Sequence, residues 1–241
     1  MTQLTDIHCH VLPGVDDGSR NTDKSVAMLR MMYDEGIRRA ILTPHYHKGY
    51  MEADIDTMRH RFEGLRKAAE ADGKAANIEL YLGCEVYYYP SAVSWLAEGT
   101  VPTMAGSDYV LTEFGYTLDK RSIEDGITGL VNAGYIPIIA HIERYEDLAG
   151  DVDCVEGLIE RGAYVQINSE ALTGSRRTRR FVKKLLDNEM VHFVATDAHG
   201  TGHRAPELAK ASAYIAKHYG EDYHDRLFDS NPSAILANEY I

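Results

Sequence analysis

The chain has 241 residues and a formal net charge of −12. That acidity argues against a nucleic-acid surface or an anionic membrane as partner, since both demand a basic footprint. No apolar run approaches the roughly 18 residues of a membrane span. The N-terminus lacks the basic and apolar regions of a secretory signal, so the mature protein is expected to begin where the chain begins. Cys9, Cys84 and Cys154 are odd in number and widely spaced, which points to reduced thiols and a cytoplasmic location.

Short β-branched and aromatic runs predict seven strands: Leu4–His8, Arg39–Thr43, Glu79–Glu85, Tyr109–Glu113, Ile136–Ala140, Tyr164–Asn168 and His192–Thr196. Helical patterns lie between them near residues 20–36, 54–73, 91–98, 119–134, 145–162 and 176–189. Gly36, Gly73, Gly134 and Gly162 stand where helices should stop. Helices near 205–219, 222–228 and 232–239 look like closing elements. Strand–helix alternation implies parallel strands with helical crossovers. With no repeat, low-complexity segment or linker, residues 1–241 read as a single α/β domain, a closed or nearly closed barrel.

The carboxyl ends of these strands carry the chemistry. The first ends in His8-Cys9-His10, whose two imidazoles at i and i+2 share a face while Cys9 takes the other. A Pro13-Gly14 turn then leads to the paired carboxylates Asp16 and Asp17. The second strand runs into His45, the third ends at Glu85, the fourth at Glu113; the fifth runs into His141 and the seventh into Asp197 and His199. Only the sixth, ending near Asn168, offers no strong ligand type. In a β/α barrel these ends meet at one rim, where active sites are built. So many carboxylates and neutral imidazoles cannot share a rim without cations. Nitrogen and oxygen donors without thiolate suit manganese, iron or zinc rather than calcium, and nine candidates suit two or three ions. The remaining histidines, such as His47, His60 and His192, read as surface or supporting residues.

The strings Ile7-His8-Cys9-His10, Val15-Asp16-Asp17-Gly18, Thr43-Pro44-His45, Gly83-Cys84-Glu85, Glu113-Phe114, Ala140-His141-Ile142-Glu143-Arg144-Tyr145 and Asp197-Ala198-His199 resemble the polymerase-and-histidinol-phosphatase (PHP) superfamily. Within it they are most similar to bacterial metal-dependent protein-tyrosine phosphatases of capsular and exopolysaccharide operons. The resemblance covers residues 6 to 235, with the motifs in family order. It implies a distorted seven-stranded (β/α)7 barrel and three divalent ions, most often manganese. His8, His10, Glu85 and Asp197 should surround one ion; Glu85 should bridge to a second held by Glu113 and His141; Asp17, His45 and His199 should hold the third. Arg144 and Arg204 match arginines expected to bind the substrate phosphate, Arg144 having a salt bridge to Glu143 or Glu146 as its alternative. Water activated by the ions would attack phosphorus in line, with metals and arginines stabilising the equatorial oxygens. The implied partner is a phosphotyrosine protein, a bacterial tyrosine kinase of polysaccharide assembly. A histidinol-phosphate phosphatase is the main rival; a proofreading nuclease is weakened by the acidic charge, and a binding module without turnover by the complete ligand set. Tyr46 stands where many relatives carry a histidine or basic residue, which predicts different peptide contacts at the rim.

Three further features are less specific. Tyr87-Tyr88-Tyr89-Pro90 could line the mouth or pack in the core, and the basic run Arg176-Arg177-Thr178-Arg179-Arg180 reads as a solvated helix face that could also guide an acidic segment. A thiol phosphatase needs an arginine six residues past its cysteine. Val15, Pro90 and Glu160 stand there after Cys9, Cys84 and Cys154, and strand alternation turns Cys9 and Cys84 away from the ligands, so these two are expected to pack as small apolar groups.

Overall fold

In the computed structural model, which describes residues 3–241, strand β1 (Leu4–Cys9) leads into helix α1 (Thr22–Asp34), capped by the Asn21 side chain at the Lys24 N–H. Strands β2 (Ile37–Leu42) and β3 (His45–Tyr46) precede α2 (Ile55–Glu70), which Asp54 caps in the same way. Then come β4 (Glu79–Leu82), β5 (Glu85–Tyr87) and α3 (Ala92–Ala97), followed by β6 (Tyr109–Glu113) and α4 (Lys120–Asn132). Next are β7 (Ile136–Ile139), α5 (Val152–Glu160), β8 (Tyr164–Asn168), α6 (Arg176–Asp187) and β9 (Phe193–Ala195). Helices α7 (Ala209–Tyr219), α8 (Glu221–Asp225) and α9 (Asn231–Ala237) end the chain.

The fold is α/β, with every strand pair parallel: a three-stranded sheet β1-β2-β4 and a six-stranded sheet β3-β5-β6-β7-β8-β9. Nine strands stand among the described residues where seven were expected, because the expected second and third strands each break. Pro44 interrupts one and has no N–H to give a ladder. Gly83-Cys84 interrupts the other, where a Cβ on Gly83 would press on Ile41 and Met104 at 2.9 and 3.0 Å. Backbone bonds bridge both breaks: the Gly83 N–H donates to the Leu42 carbonyl and the Glu85 N–H to that of Pro44. At the other side, Asp197 N–H donates to His8 O and His10 N–H to Ala198 O, both at 2.8 Å, tying the end of β1 to the segment after β9.

The expected helix over 145–162 is confined to α5, since Ile142–Arg144 forms a 3-10 turn after a left-handed His141. Gly36, Gly134 and Gly162 end helices at positive φ, whereas Gly73 does not. Strand alternation divides the core in two. Val110, Ile139, Val165 and Val194 pack outward with helical residues such as Leu29, Ile127, Leu158 and Leu185. Tyr109, Leu111, Ile138, Phe193 and Ala195 pack inward as a second apolar cluster. Continuing the inward faces by two residues, Leu111 leads to Glu113 and Ala195 to Asp197, so the apolar interior is the floor beneath the polar strand ends. In β1 the pairing register shifts between Asp6 and Cys9. Ile7 therefore packs in the inner cluster while Cys9 packs in the outer one.

Candidate metal centre

All nine expected ligands meet above that floor. Glu85, fully buried, is the hub: its Oε1 lies 2.8 Å from His141 Nε2, and its Oε2 lies 2.9 Å from His45 Nδ1, 3.2 Å from His8 Nε2 and 3.3 Å from His10 Nε2. Asp197 Oδ1 is 3.5 and 3.4 Å from the same two Nε2 atoms. Asp17 faces His45 and His199 at 3.6 and 3.5 Å, and Glu113 stands 3.6 Å from His141. Four overlapping groups have donor atoms close enough for one ion each: His10, Asp17, His45 and His199; His8, Glu85 and His141; His8, His10 and Asp197; His45, Glu85 and Glu113.

The surroundings turn these side chains toward a common centre. His8 Nδ1 lies 3.1 Å from Gln166 Oε1, His10 Nδ1 2.8 Å from Asp16 Oδ2, and His199 Nδ1 2.9 Å from the Asp197 carbonyl. Each acceptor selects the tautomer whose bare Nε2 points inward, the arrangement that metal-ligating histidines use. Asp16 also accepts from the backbone N–H of His45 and of Gly18, both at 3.0 Å. Gly18 is required here, because a Cβ would collide with the carbonyl oxygen and Cβ of His10. Strand β8, the expected sixth strand, lacks a ligand but supplies the amides that hold others in place. Gln166 Oε1 also accepts from the His141 N–H at 2.7 Å, and Asn168 Nδ2 donates to Asp197 Oδ2 at 2.9 Å. Gln166 and Asn168 are i and i+2 on a buried strand, a polar pair on an inward face that alternation could have revealed. Tyr116, likewise missed, donates its hydroxyl to Glu113 Oε1 at 2.8 Å.

Three backbone positions at the rim are left-handed without being glycine: His141 at φ 30°, Asp197 at 52° and Arg204 at 55°. Such conformations cost energy and persist where the surroundings over-determine them, as at functional sites. Both expected arginines converge on Asp197. Arg144 reaches Asp197 Oδ2 at 2.8 Å and Arg204 the same oxygen at 2.6 Å. Arg144 therefore pairs with Asp197, and at 3.4 Å with Glu170, rather than with Glu143 or Glu146.

Burial alone would push Glu85 and Asp197 up, yet the surrounding imidazoles hold both well below the usual carboxylate range. The carboxylates in turn hold His8 and His10 up against their burial. Glu85 Oε2, Asp197 Oδ1 and His199 Nε2 are buried and, although an imidazole or carboxylate stands within 3.6 Å of each, none makes a well-formed hydrogen bond among the described residues. Buried polar atoms are rarely left so. Oxygen and imidazole ligands clustered in four overlapping groups fit divalent metal ions.

The remaining motifs fall outside the centre. Tyr46 is buried against Trp95 (ring centroids 5.4 Å apart), so the expected change in rim contacts does not come from its side chain. The tyrosine run divides: Tyr87 stacks on His47 at 4.1 Å, while Tyr88 packs on Phe114. Cys9 and Cys84 are buried in the outer core, and burial pushes both thiols well up.

The chain is similar to known proteins over nearly its full length. The family model for capsular polysaccharide synthesis, CpsB/CapC, matches residues 4–237. The tyrosine-protein phosphatase CpsB of Streptococcus pneumoniae is 34% identical, over 99% of this chain and 100% of its own. The tyrosine-protein phosphatase YwqE of Bacillus subtilis is 31% identical, over 99% and 93%. A crystal structure from work on YwqE and CpsB, described as unique metal-dependent tyrosine phosphatases, superposes with a TM-score of 0.91 at 30% identity, over 99% of this chain and 96% of that one.

Proposed function

The chain belongs to the CpsB/CapC family of capsular polysaccharide synthesis, and from that premise we propose that it is a metal-dependent tyrosine-protein phosphatase acting in capsule or exopolysaccharide synthesis. The observation that carries this reading is the convergence of His8, His10, Asp17, His45, Glu85, Glu113, His141, Asp197 and His199 at the strand ends, with Arg144 and Arg204 seated on Asp197. We place the family in the PHP superfamily and count its strands as seven staves of a distorted (β/α)7 barrel, since β2–β3 and β4–β5 are each one stave interrupted by two residues. The catalytic domain is the whole chain, 1–241. Its cofactor would be three divalent cations, manganese before iron or zinc, held by the nine converging ligands with Glu85 at their hub. Its substrate is a phosphotyrosine protein, a tyrosine kinase of polysaccharide assembly. Its place is the cytoplasm, a location that the free thiols of Cys9, Cys84 and Cys154 support. No helix among the described residues is long and apolar enough to cross a membrane.

Bound divalent cations supply Lewis acidity and a nucleophilic water at neutral pH. The chain's own residues set the charge and the geometry. Asp17, Glu85, Glu113 and Asp197 contribute four negative charges, which three divalent ions exceed, so a phosphate dianion is drawn in despite the acidic surface. Arg144 and Arg204 each place a guanidinium at the mouth, 26% exposed, with planar donors suited to phosphate oxygens. Asp197 pre-orients both forks, so little ordering is left to phosphate binding. Gln166, Asn168 and Asp16 hold His8, Asp197 and His10 in position through the cycle. A phenolate is a tolerable leaving group, so the reaction does not demand a dedicated general acid.

The deciding experiment assays the manganese-loaded protein side by side on a phosphotyrosine peptide, a phosphoserine peptide and histidinol phosphate, before and after chelation. Phosphotyrosine should be fastest, and chelation should abolish turnover until manganese, iron or zinc is restored. Full activity after exhaustive chelation would reject the metal requirement; preference for histidinol phosphate would reject the protein substrate.

A further inference from the structure

Helix α6 carries Arg176, Arg177, Arg179, Arg180 and Lys184 on its exposed side, although the chain as a whole is strongly acidic. Among the described residues none of these five side chains has an ion pair or hydrogen bond. The neighbouring Lys183, by contrast, is tied to Asp187 at 2.7 Å. Five adjacent unpaired cations repel one another, and an anion relieves that repulsion.

The cluster opens onto a groove that leads to the metal centre. Arg176, Arg177, Arg180 and Lys184 line a cavity of about 490 Å³ with no acidic residue in its wall. Through Arg177 and Phe181 it joins a second cavity of about 470 Å³ that reaches Arg144. Arg144 and Thr178 also line a third, about 420 Å³, toward Glu170. Glu143, Glu146 and Asp147 stand in the wall of the middle section, so the purely basic stretch is the end remote from Arg144. Arg144 is the phosphate-facing arginine of the proposed phosphatase, and a role for the groove in that reaction rests on that assignment.

We infer that this groove binds an acidic flank of the same polypeptide whose phosphotyrosine enters the metal centre. From Arg176 to Lys184 the helix rises about 12 Å, the reach of about four extended residues. The ligand is therefore a short run of Asp, Glu or further phosphotyrosines on one side of the reacting tyrosine. It lies across α6 and delivers the reacting phosphate toward Arg144. The cluster sets specificity and association; it takes no part in the chemistry, which the metal centre performs.

The test uses the full chain loaded with manganese, with Arg177→Glu and Arg180→Glu combined. Both side chains are exposed and unpaired, so the fold should be unaffected. Substrates are a phosphotyrosine peptide with three acidic residues on one flank, the same with neutral flanks, and p-nitrophenyl phosphate. The wild type should prefer the acidic flank by roughly tenfold in KM at low salt, the sum expected of a few exposed ion pairs, and lose the preference at high salt. The double variant should lose it at any salt, with kcat and the p-nitrophenyl phosphate rate unchanged. Equal KM values for both peptides in the wild type, or a loss shared by p-nitrophenyl phosphate in the variant, overturns the inference. So does a change of oligomeric state by sedimentation, which would make the groove a contact between copies. If no substrate is turned over at all, the phosphatase reading fails separately. Fluorescence anisotropy with the unphosphorylated acidic peptide then still decides whether the groove binds it.

Discussion

Asp16→Asn is the most informative single change, because it keeps the shape of the side chain and alters only its hydrogen bonding. The buried carboxylate accepts three donors: His10 Nδ1 and the His45 N–H at Oδ2, and the Gly18 N–H at Oδ1. An asparagine has one acceptor oxygen. If that oxygen takes the Oδ2 place, its amide nitrogen faces the Gly18 N–H; if flipped, the amide faces both His10 and His45. Either way at least one buried donor loses its partner, at about 1–3 kcal/mol. That should lower Tm by several degrees in a chain of this size, about 2–4 °C for each kcal/mol. His10 also loses the carboxylate that fixes its tautomer, which typically reduces metal affinity by about 10–100-fold. The assay is activity as a function of free manganese, with melting of the chelated protein measured separately. A variant with the wild-type manganese dependence would refute the positioning role, whatever its Tm.

Glu85→Ala removes the hub contacted by four imidazoles and should strip metal from the purified protein and abolish turnover, read by elemental analysis and phosphate release. Arg204→Ala should keep full metal content while lowering the phosphotyrosine rate by about 10²–10³, the usual cost of losing one preorganised charge-stabilising donor; unchanged rate and metal content would refute its phosphate role. Cys9→Ser and Cys84→Ser should retain turnover, and native alkylation should leave it nearly unchanged. An inactive Cys9→Ser protein with normal metals and melting would overturn the water mechanism. His192 lies away from the centre, where burial and then Arg226 push it down to about 4 from an ordinary 6.5. Its neutral Nδ1 accepts from the Val165 N–H. Stability from this group is present above pH 6.5 and is lost as pH falls toward 4, because only the unfolded chain takes the proton readily. In chelated protein the stability advantage of wild type over His192→Asn should therefore shrink by about 2 kcal/mol between pH 7 and pH 5, measured by urea denaturation; a pH-independent difference would rule this out.

Much of the centre was legible from the chain because strand chemistry is local. A period of two residues places His8 with His10, and a strand followed by a glycine-terminated helix repeats the direction of the next strand. The ligand types themselves stand at the strand ends, so their convergence on one rim follows once the strands are parallel. The same alternation identifies Cys84 as an outward, buried thiol beside the inward Glu85. Applied to Gln166 and Asn168, it marks the sixth stave as a support for the site, although that stave brings no ligand of its own.

Tertiary structure decided what depends on groups far apart in the chain. The shift in β1 between Asp6 and Cys9 that sends Ile7 inward arises from pairing with β2, and no local periodicity encodes it. Asp16 was visible beside Asp17, but only folding assigns one to the support of His10 and His45 and leaves the other facing His199. Likewise Arg144 has carboxylates next to it in sequence, yet it pairs with Asp197, 53 positions on by the residue numbers, because the parallel strands bring their carboxyl ends together. Sequence determined which donors were present and which faces they took. The packing of the sheets determined which donor meets which, because a hydrogen bond or ion pair is set by distances of about 3 Å that strand order alone does not specify.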